Sequence, residues 1–253
     1  MAVDKQRIVR EVLKGYGVVI DGPIPPDMAK FQKITEENKT SYQDNLAKAR
    51  EILTKDGWKL NEEGFLEKTT TSKKKKTTSR IEFSISTGNA PELAETAILI
   101  KENLEAIGMR VDIKTFEIGN LNQSVIRPRK YDALLFGQII NNESDLYAFW
   151  HSSQRLDPGL NVAMYTNVKV DKILEDAFVA TDEISRIKKY AQFEDEIKKD
   201  MSAIFLYSPS FIYVVSENLK GLSMEYLTSL SDRFLSMHKW YSETSDVWKI
   251  FIR

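Results

Sequence analysis

The stretch from Arg80 to Glu117 switches twice between the two periods with which a chain can bury one face. RIEFSIST, residues 80–87, alternates apolar and polar side chains, as a half-buried strand does. APELAETAILIKENLEAI, residues 90–107, repeats its apolar positions at helical spacing, with Pro91 suited to the first turn. Gly108 ends that helix, and MRVDIKTFE, residues 109–117, returns as a strand. Strands that alternate with helices commit a chain to an α/β architecture, because each helix buries its apolar stripe on a sheet.

The flanking segments fit that class. Residues 4–14 carry Ile8, Val9, Val12 and Leu13 at helical spacing, with Asp4 as cap and Gly15 and Gly17 as stop. A loop stiffened by Pro23, Pro25 and Pro26 follows, then a second amphipathic helix over 43–55. Trp58 opens a short strand, Asn61–Gly64 turns, and residues 65–68 return. The low-complexity TTTSKKKKTTS, residues 69–79, is expected to be a mobile, solvated hairpin tip. Residues 120–129 predict a short helix, and YDALLFGQII, residues 131–140, a continuous apolar strand buried on both faces. An irregular, aromatic-rich stretch covers 141–167, helices cover 168–180 and 183–200, and a strand pair broken at Ser208-Pro209 covers 203–216. The expected fold is α/β, a mixed twisted sheet flanked by helices, without internal repeats.

Composition removes several function classes. Thirty-six Lys and Arg against 37 Asp and Glu leave no net field to draw the chain to nucleic acid. The run Lys73–Lys76 lacks the interleaved aromatics of a single-strand binder. With no cysteine there is no disulfide, thiolate zinc site or Cys nucleophile. The two histidines, His151 and His238, are too far apart in sequence to suggest a metal site. His151-Ser152-Ser153 with Asp157 invites a triad reading, but adjacency supplies neither an oriented base nor a strained nucleophile turn. No enzyme, cofactor or metal is expected. No apolar run reaches the length of a membrane span. The first residues, MAVDKQRIVREVL, are a charged amphipathic segment and not a secretory signal, so the chain as written is expected to stay in the cytoplasm.

Taken in order, several segments resemble the second half of the family 5 extracellular solute-binding proteins of bacterial ABC importers, the dipeptide and oligopeptide type. They are AVDKQRIVREVLKGYG, DGPIPP, NLAKAREILTKDGWKLNEEGFLEK, AETAILIKENLEAIGMRVDIKTFE, YDALLFGQ and NVAMYTNVKVDKILEDAF. The resemblance implies the C-terminal lobe of a type II periplasmic-binding-protein fold. Residues 1–233 would be the ligand-binding lobe, and 234–253 a tail returning to an N-terminal lobe that this chain lacks. It implies a monomeric receptor, exported and membrane-anchored, that hands its solute to permease subunits. The solute would be a peptide or an oligosaccharide.

The loop after YDALLFGQ is the candidate site. In peptide-binding members a loop acid faces the ligand's α-amino group. Here that position falls near Asn141, with Glu143 and Asp145 just beyond. Asn accepts a hydrogen bond but does not neutralise an ammonium, so recognition of a free peptide N-terminus is in question. Tyr147, Phe149 and Trp150 follow; Phe149 reads as packing, while Trp150 fits packing and ligand contact equally. The candidate ligand-binding set is Asn141, Glu143, Asp145, Tyr147, Trp150, His151, Asn161 and Tyr165. The alternatives are a hydrolase built on His151 and nearby acids, and a non-catalytic scaffold.

Overall fold

The computed structural model describes residues 1–26, 28, 41–72, 75–222 and 230–242. Lys73 and Lys74 of the basic run and residues 243–253 of the expected tail lie outside the described residues. In chain order the helices are α1 (Lys5–Glu11), α2 (Tyr42–Lys55), α3 (Pro91–Glu105), α4 (Ile118–Asn120), α5 (Ser144–Trp150), α6 (Val168–Val179) and α7 (Glu183–Asp200). The strands are β1 (Gly17–Val19), β2 (Lys59–Leu60), β3 (Leu66–Ser72), β4 (Lys75–Arg80), β5 (Glu82–Gly88), β6 (Arg110–Phe116), β7 (Ala133–Leu135) and β8 (Tyr207–Pro209).

The strand–helix–strand unit forms as its periods require. β5 lies between β6 and β7 in a parallel sheet, with Ile85 opposite both Ile113 and Ala133. Ile85, Val111 and Leu135 pack with Ala97 and Ile100 of α3 and with Ile8 of α1 in one core. Asp4 caps α1 by accepting from the Arg7 N–H at 2.9 Å, which satisfies one of the free donors of its first turn. On the opposite sheet face Phe116 and Leu134 are covered by Leu121, Val125 and Ile126, which form a π-helical turn continuing α4. The expected mixture of parallel and antiparallel pairing is present, divided among three sheets.

Gly108 joins two of them. It stands at φ +89° after α3, and its carbonyl accepts from Leu66 N–H of the β2–β3–β4 meander at 2.7 Å. A Cβ there would lie 2.5 Å from Leu60 Cδ2. The third sheet pairs β1 with β8, Gly17 opposite Pro209, so Ser208 is paired and the strand ends at Pro209. Proline is accommodated because both strands of this two-stranded ribbon are edge strands. The threonine-rich stretch forms the expected hairpin. The β3–β4 ladder runs through Thr69↔Thr78 to Ser72↔Lys75.

α5, α6 and α7 form a second layer with a core of their own. Leu146, Trp150, Val170, Leu174, Phe193 and Ile197 meet there. α6 is capped by Asn167 and α7 by Asp182, each accepting main-chain N–H bonds of the first turn. The stretch read as irregular, 141–167, therefore contains a two-turn helix, too short to establish a period in the sequence.

Candidate solute site

The parallel strands β5 and β7 end together, at Gly88 and Leu135. β7 has only three paired residues, where the sequence predicts a strand over 131–140 buried on both faces. From Phe136 to Ile140 the chain makes no main-chain hydrogen bond among the described residues. Phe136 is 45% exposed and Ile139 76%. A Cβ built on Gly137 would meet nothing within 4 Å. The apolar run is thus an open edge, not a core strand. In α/β sheets the crevice beyond the carboxyl ends of the strands is where ligands bind.

The edge runs into the loop that precedes α5. Asp145 Oδ2 accepts the main-chain N–H of Asn141 at 2.8 Å and of Asn142 at 3.2 Å. Asn142 Oδ1 accepts the Ser144 N–H at 3.0 Å and also takes its hydroxyl. The Glu143 carbonyl accepts the Tyr190 hydroxyl at 3.1 Å, and its carboxylate stands 3.9 Å from Arg186 Nε. Burial, reinforced by the Glu143 charge, pushes the Tyr190 phenol up to about 12. Both loop carboxylates thus brace the protein. The exposed Asn141 amide has no partner among the described residues and offers both donors and an acceptor.

Behind the loop the predicted residues divide. Tyr147 is half-buried on the surface of α5. Trp150 is 3% exposed, with ring centroids of Tyr165, Phe193 and Phe205 at 6.1, 6.3 and 5.8 Å. Of its two readings, packing is the one this geometry realises, because α5 turns Leu146 and Trp150 inward together. Asn161 is fully buried: its Nδ2 donates to the carbonyls of Trp150, His151 and Tyr165, and its Oδ1 accepts the Tyr165 N–H. Tyr165 is buried too, its hydroxyl donating to Asp200 at 2.6 Å. Burial first, then that bond, raises the Tyr165 phenol above its ordinary value.

His151 is buried at the end of α5. Its Nδ1 lies 2.8 Å from Ser153 Oγ and 3.2 Å from the Ser153 main-chain nitrogen. Its Nε2 stands 3.9 Å from Asp171 and 3.6 Å from Glu175. Serine, histidine and acid are therefore adjacent. The Ser153 N–H, the natural oxyanion donor for its own hydroxyl, is already spent on Nδ1, and Asp157 pairs instead with Arg127. Glu175, Asp200 and Tyr190 escape sequence reading, and Asp171 is visible only as part of a helix start that resembles the family's, since each acts across 19 or more residues or from a helix face. Among the described residues no group of three or more His, Cys, Asp or Glu is placed to hold a metal ion.

A shallow groove of about 380 Å³ opens at the other end of the sheet, lined by Glu82, Ser84, Arg110, Asp112, Lys114 and Asp132. It lies at the strands' amino ends, and Asp132 is held below the ordinary carboxylate range by the Ser84 hydroxyl and N–H. It is a solvated face of mixed charge to which Phe83 adds the one apolar side chain, not the predominantly apolar lining of a ligand pocket.

A parallel sheet opening its carboxyl edge onto a loop, backed by a helical layer, defines a lobe of the α/β solute-binding class. Residues 1–157 match the family described as bacterial extracellular solute-binding proteins, family 5 Middle, and the chain belongs to that family. The oligopeptide-binding protein AppA of Bacillus subtilis is 31% identical over 223 residues, 87% of this chain and 39% of the relative. Protein XP55 of Streptomyces lividans is 25% identical over 228 residues, 88% of this chain and 39% of the relative. The solved structure of AppA from Bacillus subtilis in complex with a nonapeptide superposes with a TM-score of 0.73 at 28% identity, over 96% of this chain and 46% of that one. NikZ from Campylobacter jejuni, solved with Ni(L-His), shares the fold with a TM-score of 0.70 at 24% identity, over 96% of this chain and 47% of that one. The chain spans about two fifths of the length of the curated relatives it matches.

Proposed function

We propose that this chain is the solute-binding lobe of an ABC-import receptor and that its solute is a peptide. The observation that carries the reading is the open main-chain edge Phe136–Ile140, continuous with the amide-lined loop at Asn141. Unpaired main-chain donors and acceptors are what an extended peptide needs in order to add as a strand, whatever its side chains. The relative AppA is an oligopeptide-binding protein and has been solved with a nonapeptide, which favours a peptide over an oligosaccharide. Residues 1–233 form the lobe, and 234–253 cross to a second lobe, the two closing on the solute as a clamp. The closed receptor, exported and acting as a monomer, presents its solute to membrane permease subunits. It performs no chemistry.

Within the site, Asn141 and the 136–140 edge touch the solute, and Asp145 and Glu143 hold the loop in shape. Trp150, Asn161 and Tyr165 support the loop from behind. Gly137→Val tests this in the receptor that contains the chain. The new side chain enters open space, so thermal stability should hold, whereas peptide affinity should fall by about tenfold or more as it covers the edge. Unchanged affinity would defeat the proposal.

A further inference from the structure

We infer that His151 is a positioning residue of the solute site, acting through Tyr147 and not by touching the solute. The inference rests on the proposed site at 136–141 and adds to it Tyr147, which lies on α5 directly after the loop. The imidazole lies parallel to the Tyr147 ring, with centroids 4.2 Å apart and planes 15° apart, and Phe178 flanks the tyrosine at 6.4 Å. Two neighbouring rings restrict the rotamers open to a half-buried phenol, while its hydroxyl has no partner among the described residues. A fixed ring with an uncommitted polar tip is what a preorganised contact requires, because little ordering remains to be done on binding.

The imidazole is itself held at both ends. Ser153 engages Nδ1 through its hydroxyl and N–H, while Nε2 is buried without a hydrogen bond and faces two carboxylates of α6. Asp171 is in turn anchored by the Ser152 N–H at 2.8 Å and hydroxyl at 2.5 Å. The His151 carbonyl accepts from Asn161 and its N–H closes α5 on the Tyr147 carbonyl. His151 therefore links α5, the turn after it, the Asn161 loop and α6, and among the aromatic rings near it Tyr147 is the one stacked on the imidazole, half-buried with its hydroxyl unpartnered among the described residues. With a side chain 9% exposed, the imidazole is a poor surface for direct contact.

The test is a titration of this chain, its tyrosine rings isotopically labelled, with the tripeptide Ala-Phe-Ala, followed by NMR. Tyr147→Phe identifies the Tyr147 signals. They should lie upfield in the wild type, under the imidazole's ring current, and remain so in His151→Phe. In His151→Leu they should return toward the free-tyrosine position while Tyr165 and Tyr190 hold theirs. Affinity for the peptide should match wild type in His151→Phe and fall about fivefold in His151→Leu, the size of one stacked ring pair. A His151→Leu protein that binds as well as wild type would overturn the inference. So would equal losses in both variants, which would mean that the imidazole touches the solute itself. If the peptide moves no wild-type tyrosine signal, the site reading has failed and the inference with it. If it moves Tyr147 with equal affinity in wild type and His151→Leu, the inference alone has failed.

Discussion

Asn161 illustrates how much of the site is decided by single buried polar groups. Its amide bonds to three carbonyls and one N–H where no water reaches, so Asn161→Ala strands the Trp150 and Tyr165 carbonyls and the Tyr165 N–H, while the His151 carbonyl keeps the Gln154 N–H. Denaturant melts should show a loss of about 2–4 kcal/mol with an unchanged slope. Trp150→Ala should cost about 3–5 kcal/mol by leaving a cavity among Tyr165, Phe193 and Phe205, and lower peptide affinity of the surviving folded receptor only through the loosened loop, by less than the loss of stability. Affinity lost without stability would return the indole to the ligand surface. Asp200 sets a pH dependence. The Tyr165 hydroxyl and the Asn167 amide hold its carboxyl below the ordinary value. A pKa depressed on folding stabilises the native state at and above the ordinary carboxylate value of about 4, and that contribution is lost as pH falls through the lowered value. Thermal melts from neutral to acid pH should fall less steeply for Asp200→Asn than for wild type.

Gly108 is where element geometry depends on one residue. It turns α3 into β6 at positive φ and brings the meander against the sheet, so Gly108→Ala meets Leu60 and Leu66 as well as backbone strain. A destabilisation of about 1–3 kcal/mol is expected in urea titrations. The same unit explains what was legible beforehand. β5, α3 and β6 are read correctly from period and punctuation, because local pattern and tertiary packing agree there. Residues 131–140 are not, because an apolar run looks alike whether two sheet faces or a waiting ligand will cover it. The Thr and Lys stretch was legible as a hairpin, and its length comes from cross-strand threonine pairs such as Thr69 and Thr78, 3.2 Å apart, which suit a ribbon. For the candidate site, the loop and Tyr147 could be named from the sequence. The contacts of Asp171, Glu175 and Asp200 could not, since their partners are chosen by the packing of α5, α6 and α7.

At the scale of the described residues, the proposed solute edge lies beside the helical layer of α5, α6 and α7, as the proposal of one jaw of a clamp requires. Closing both jaws commonly buries about 70–90% of a ligand, so this chain alone should bind peptide about a hundredfold more weakly than the receptor that encloses it. Because the Asp145 carboxylate is committed to the loop and that of Glu143 stands beside Arg186 of α7, an N-acetylated peptide should bind as well as its free-amine form. The most direct measurement is therefore a map of backbone amide shifts in this chain on adding N-acetylated trialanine. The account predicts the largest changes from Gly137 to Asn142. Largest changes around Arg110 and Asp112, in the polar groove at the far end of the sheet, or no change in the 137–142 edge at saturating peptide, would contradict it.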